Sequence, residues 1–223
     1  VLTWGVESAI SFAPGSPGAT GGVLGNPAIA TDGAGNIYFA NIAQGTNPNA
    51  GTLANYNVAV GQLTFNGFLV WYQTFPELIV ADKTQTQINL VIGTQNDLYV
   101  SFTTPGSTPN NFNMSIPPIF CPCYNPGPLD IVVARLTYTE TYANVAWVIQ
   151  NARINSCSNE YSSTLAIDPA TGLLYVALET HGTPNCSIPP GMPNILLSCF
   201  TLSGIQLWLE TETAINGPGM NSC

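Results

Sequence analysis

Short runs of alternating apolar and polar residues cover most of this chain, and they recur in a fixed order. An apolar strand meets a tight turn, a second strand carries a Tyr, and a polar stretch leads through a third strand to one centred on Trp. The hairpins are AIATDGAGNIYFANI (28–42), NLVIGTQNDLYVSF (89–102) and LAIDPATGLLYVAL (165–178). The Trp strands are FLVWYQTF (68–75), NVAWVIQN (144–151) and IQLWLETE (205–212). Period-two alternation bounded by Gly, Pro, Asn and Asp predicts strands, because successive side chains on a strand point to opposite faces.

The spacing repeats as well. Trp71 follows Tyr38 by 33 residues and Trp208 follows Tyr175 by 33, whereas Trp147 follows Tyr99 by 48, so the middle unit carries an insertion. From each of Trp71 and Trp147 to the next hairpin Tyr the gap is 28 residues. A repeated unit of four short strands predicts an all-β chain of antiparallel, propeller-like blades. The reading is one repeat array over 1–223, with units near 1–67, 68–143 and 144–204 and a terminal strand and tail at 205–223. Trp71, Trp147 and Trp208 are expected at equivalent buried positions.

Antiparallel connections alternate between the two ends of a sheet, so the tight turns gather at one end and the long loops at the other. Asp32-Gly33-Ala34-Gly35-Asn36 and Asp168-Pro169-Ala170-Thr171-Gly172 read as turns, since Asp accepts local N–H bonds and Gly tolerates positive φ. A calcium loop would need further oxygen ligands at regular spacing, and the sequence lacks them. The long-loop end collects 13–27, 43–52, 76–87, 103–128, 152–162, 180–193 and 214–223, with the single His181.

IATDGAGNIYFAN and LAIDPATGLLYVAL, with a DIVVARL-type strand (130–136) and an apolar Trp strand, resemble the bacterial β-propeller repeats known as SBBP repeats. The likeness runs through nearly the whole chain in three passes. Unit two departs from it, since GTQNDLYV lacks the Asp-x-x-Gly turn and residues 103–128 form a long Pro/Cys insertion. The resemblance implies blades of a surface or secreted protein and carries over no catalytic residues.

Composition narrows the partners. Three basic residues stand against twelve acidic ones, with a net charge of −9 and only 7% charged residues. Lys83, Arg135 and Arg153 cannot form the clustered positive surface that nucleic acid or an anionic membrane requires. No apolar run reaches the length of a membrane-spanning helix. The chain starts at Val1 without Met, which reads as a processed chain or an excerpt.

Six cysteines, Cys121, Cys123, Cys157, Cys186, Cys199 and Cys223, are disulfide candidates. Their even number, the acidic balance and the sequons at Asn113 and Asn185 point to an extracellular or cell-surface setting with glycosylation at those two positions. Cys157 and Cys186 flank one hairpin and are expected to pair. Cys121-Pro122-Cys123 reads as a loop staple, because a metal site would want further ligands and a redox site two intervening residues. Cys199 lies within a strand and reads either as a bridge partner or as a buried free thiol.

Catalytic constellations are sparse. One imidazole excludes multi-histidine metal sites, and no Gly-x-Ser-x-Gly elbow is present. His181 with Glu179 reads as a surface pair at a strand end. The Gly-rich segment 13–25 lacks GK[ST] and is no phosphate cradle. The chain is expected to be no enzyme and to use no cofactor or metal.

Two functions remain. The first is a structural, self-associating surface or extracellular protein, a filament or layer subunit whose partners are copies of itself. Three units fall short of the four to eight blades of a closed propeller, and a fourth Trp strand, VLTWGVES (1–8), stands before the first hairpin. The alternative is a propeller that binds carbohydrate or another surface protein through its long-loop end, with Tyr124 or Phe112 stacking on the ligand.

Overall fold

The computed structural model describes residues 24–45, 55–80, 87–93, 97–105, 129–150, 154–155, 159–181 and 194–211. Twelve strands and no helix occur among them. The first sheet contains β1 (Leu24–Thr31), β2 (Ile37–Gly45), β3 (Asn55–Leu63) and β4 (Leu69–Val80). The second contains β5 (Asn89–Ile92), β6 (Asp97–Pro105), β7 (Leu129–Tyr138) and β8 (Ala143–Ile149). The third contains β9 (Glu160–Asp168), β10 (Leu173–Thr180), β11 (Asn194–Thr201) and β12 (Gln206–Glu210). Each sheet is an antiparallel meander in chain order, so the chain is all-β with three four-stranded, propeller-like blades.

The unit boundaries move by one strand. Each Trp strand, read from sequence as the opening of a unit, pairs with the strand before it and closes that sheet. The cause is local, since a turn of four or five residues joins the third strand to the fourth and leaves no length for a crossover to a new sheet. The blades therefore run 24–80, 89–149 and 160–210 in place of 1–67, 68–143 and 144–204. The 205–212 strand is no surplus edge but the fourth strand of blade three. VLTWGVES lies outside the described residues.

Register ties the blades together more tightly than spacing did. One row across each sheet reads Ala30–Tyr38–Gln62–Trp71, Val91–Tyr99–Arg135–Trp147 and Ala166–Tyr175–Cys199–Trp208. An irregularity in the pairing of the third and fourth strands follows this row in all three blades. Such a bulge increases local twist and re-aims the strand end.

Alternation gives each sheet two apolar faces, and the faces pack in one direction. Tyr38, Val60 and Trp71 of blade one pack in a core with Leu98, Val100 and Val132 of blade two. The other face of blade two, with Tyr99 and Val133, packs against Leu174, Val176 and Phe200 of blade three. Burying such side chains supplies about 1.5–3 kcal/mol each relative to exposure.

The three indoles occupy equivalent positions but not equal environments. Trp71 is 5% exposed, Trp147 is half-buried and Trp208 is 39% exposed. The expectation of equal burial fails because cover comes from the following blade, and no fourth sheet occurs among the described residues.

The hairpin turns follow the predicted chemistry. Asp32 Oδ1 accepts hydrogen bonds from the N–H groups of Ala34 and Asn36, both at 2.9 Å, and Gly35 takes φ +85°. Asp168 accepts from the Ala170 N–H at 2.9 Å and the Thr171 hydroxyl at 2.6 Å.

Candidate functional site

The seam between blades is built from the Tyr–Trp row and from one turn of the next blade. In blade two the Leu202 carbonyl accepts from Trp147 Nε1 at 3.1 Å, from the Tyr99 hydroxyl at 3.3 Å and from Arg135 Nη1 at 3.4 Å. Leu202 lies in the turn between β11 and β12, so a backbone group of blade three caps the polar tips of three side chains in blade two. Without that carbonyl, the indole and phenol would lose polar partners within a largely apolar seam, at a cost of about 1–3 kcal/mol per group.

Geometry restricts the turn as well as the row. Gly204 has φ +87°, and a Cβ there would lie 3.3 Å from the Trp147 ring. The turn lies flat on the indole because this position carries no side chain. Beneath it, Arg135 Nη2 pairs with Asp97 Oδ2 at 2.8 Å, and Asp97 is buried. Burial pushes the Tyr99 hydroxyl up to about 12, the Asp97 charge adds to the shift, and Arg135 opposes it.

Blade one is covered by a variant of the same device. Tyr138, at the end of β7 beside the next turn, packs between Tyr38 and Trp71, with ring centroids 5.0 and 6.2 Å away. The Tyr38 hydroxyl lies 2.8 Å from that of Tyr138 and 3.3 Å from Asp32 Oδ2. Burial raises the Tyr38 pKa, and Tyr138 and Asp32 raise it further, so the phenol stays neutral. Trp71 Nε1 donates to Gln62 Oε1 within its own row at 2.8 Å.

Blade three keeps the row without the cover. Tyr175 and Trp208 lie 6.1 Å apart, with the Cys199 strand between theirs. Cys199 is a free thiol, fully buried, and burial raises its pKa. Among the described residues no turn of another blade lies over this pair.

A second polar arrangement occupies the long-loop end of blades two and three. Asn155 accepts from the Ile131 N–H at 2.7 Å and donates to the Ile131 carbonyl at 3.0 Å, imitating a strand partner for β7. Gln150 donates to Asp130 at 3.0 Å, Thr180 to Glu160 at 3.0 Å, and Asn159 to the Tyr161 hydroxyl at 3.0 Å. His181 meets Tyr161 edge-on at 4.8 Å and Glu179 Oε1 at 3.2 Å. No Ser, Thr or Cys is hydrogen-bonded to the His181 ring among the described residues. These contacts hold loop ends to strands and present no activated nucleophile.

Of the sequence-selected residues, the structure places His181 beside Glu179 as expected and Cys199 inside β11. Cys121, Cys123, Cys157, Cys186 and Cys223, the sequons at Asn113 and Asn185, and the ligand-stacking candidates Phe112 and Tyr124 lie outside the described residues, as does the Cys157–Cys186 pairing. Among the described residues no group of three or more His, Cys, Asp or Glu could hold a metal ion. Sequence reasoning missed Leu202, Gly204, Tyr138 and Phe65. The signal was present, since TFNG (64–67) and TLSG (201–204) are the same turn one residue before a Trp strand begins.

No protein-family model matches the chain, and no curated protein matches it. Among solved structures it is similar to one titled as the crystal structure of a thermostable family-43 glycoside hydrolase, at 13% identity and a TM-score of 0.39. The match covers 85% of this chain and 58% of that one. The sequence reading expected no enzyme, whereas the matching structure is titled as that of an enzyme. A likeness of this size assigns the present chain no activity.

Proposed function

We propose that this chain is a self-associating structural protein of the cell surface or extracellular space, assembled through its propeller-like blades. One observation carries the reading. The same Tyr–Trp row is covered in blades one and two and open in blade three, where Trp208 is 39% exposed against 5% for Trp71.

Apolar exposure is concentrated at the two ends of the stack. Blade three shows Ile195 and Trp208, and blade one shows Ile29, Phe65, Phe68, Leu69 and Val70. Contiguous apolar surface on a folded protein marks an interaction face more often than a solvated one. With 7% charged residues, the chain has little long-range repulsion to oppose contact between such faces beyond its diffuse net charge of −9.

Sedimentation velocity of the intact chain from nanomolar to high micromolar concentration tests the reading, with electron microscopy of the heaviest fraction. A concentration-dependent increase in sedimentation coefficient and regular particles are expected. A monomer across the whole range, with Trp208 still exposed, contradicts it.

A further inference from the structure

We infer that the chain assembles head to tail, the turn Thr64–Phe68 of one copy seating on the Tyr175–Trp208 pair of a second copy. The inference rests on the self-association reading and adds to it the two surfaces and their polarity.

The argument begins with the intrachain seam, where the blade-three turn from Thr201 to Ile205 covers Tyr99 and Trp147. That turn is closed by the Thr201 N–H donating to the Ile205 carbonyl at 2.8 Å and the Gly204 N–H donating to the Thr201 carbonyl at 2.9 Å. The turn of blade one has the same closure. The Thr64 N–H donates to the Phe68 carbonyl at 2.9 Å and the Gly67 N–H to the Thr64 carbonyl at 2.8 Å. Both glycines have positive φ, +87° at Gly204 and +82° at Gly67. In both turns the Thr hydroxyl also accepts the N–H of the fifth residue, at 3.1 Å in each case. Phe65 therefore corresponds to Leu202, and Phe68 to Ile205.

Phe65 is exposed where its counterpart Leu202, seated on blade two, is half-buried. Phe65 is 64% exposed and Phe68 71%, the two most exposed of the large aromatic side chains in the described residues. At the opposite end, Tyr175 and Trp208 present the row that such a turn covers elsewhere in the molecule. Each free surface matches the partner of the other's equivalent within the chain, so a second copy satisfies both ends with the contact that joins blade three to blade two.

The polar atoms match too. The Leu202 carbonyl takes the Trp147 and Tyr99 donors, and the Phe65 carbonyl would take those of Trp208 and Tyr175 in the same way. Arg135 has no counterpart in the open row, whose central position is Cys199, so the new seam is more apolar than its intrachain relative. Phe65 in place of Leu202 adds the larger side chain. A turn-to-face contact is heterologous, so copies joined by it form a closed ring where the rotation between them closes and an open head-to-tail chain where it does not.

The test uses two variants of the full chain, Phe65→Asp and Trp208→Asp, each at an exposed position. Far-ultraviolet circular dichroism matching wild type establishes that both fold. Each variant alone is expected to lose self-association by about 30-fold or more, as for a central interface residue. An equimolar mixture is expected to form a pair with one copy of each, because the intact turn of one variant meets the intact face of the other. Self-association of Phe65→Asp at wild-type strength overturns the head-to-tail contact while leaving the self-association reading standing. So does a mixture that stays as dissociated as its components. A monomeric wild type removes the broader reading itself.

Discussion

Trp147 Nε1 of blade two donates to the Leu202 carbonyl of blade three at 3.1 Å, and this bond joins two sheets that are 55 residues apart at these positions. Removing the donor while keeping an aromatic ring isolates it. Trp147→Phe should lower unfolding free energy by about 1–2 kcal/mol, combining the lost bond with the smaller ring. Urea denaturation followed by circular dichroism measures the effect, and an unchanged midpoint would show that the seam does not depend on it.

Gly204→Ala tests the flatness of the turn on the indole. It places a Cβ at φ +87° and 3.3 Å from Trp147, so a loss of about 1–3 kcal/mol is expected. Gly33→Ala is the control, since a Cβ there meets nothing within 4 Å and the change should stay within about 0.5 kcal/mol of wild type. Equal midpoints for the two variants in thermal denaturation would contradict the account of the turn.

Asp130 should make stability fall as pH rises. Burial raises its pKa above the ordinary carboxylate range, and the Gln150 hydrogen bond only partly opposes this. The folded chain thus holds the proton more tightly than the unfolded one. Its contribution is fully present below the unfolded value and is lost as pH rises through the raised folded value. Asp130→Asn should remove that segment of the pH–stability curve, read by denaturation between pH 3 and pH 7, in about half-unit steps.

Asp32 acts with the opposite sign. Burial raises its pKa, but hydrogen bonds from Asn36, Ala34 and Tyr38 outweigh that and hold it low. Its stabilisation is present above the unfolded value and is lost as pH falls through the depressed folded value. Asp32→Asn should therefore lose stability at neutral pH and show a weaker acid dependence than wild type.

Cys199 should resist alkylation in the folded chain. The thiol is fully buried within the row that Tyr175 and Trp208 complete, and burial disfavours the reactive thiolate. Maleimide labelling followed by peptide mass mapping should mark it only after denaturation. Rapid labelling under native conditions would mean that the open face is looser than described.

Much of the fold was legible because strand alternation and turn chemistry are local. The hairpins at Asp32 and Asp168 and the Tyr–Trp spacing follow from side-chain period and from Gly and Asp at defined turn positions. The offset of one strand in the unit boundaries arose because spacing alone does not tell whether a Trp strand opens one sheet or closes the previous one. The short TFNG and TLSG turns decide that, since a tight antiparallel link keeps both strands in one sheet. Unequal burial of the three indoles was not legible, because it depends on which sheet stacks on which face. The covering role of Leu202 was hidden for a related reason: it acts through a backbone carbonyl, to which side-chain identity is nearly silent.

The most direct measurement is hydroxyl-radical footprinting of the wild-type chain across a concentration series, with oxidation at each residue read by mass spectrometry. The account predicts that Trp208 and Phe65 lose reactivity together as concentration rises, while Trp71 stays protected throughout. Trp208 and Phe65 remaining as reactive at high concentration as at low would contradict it.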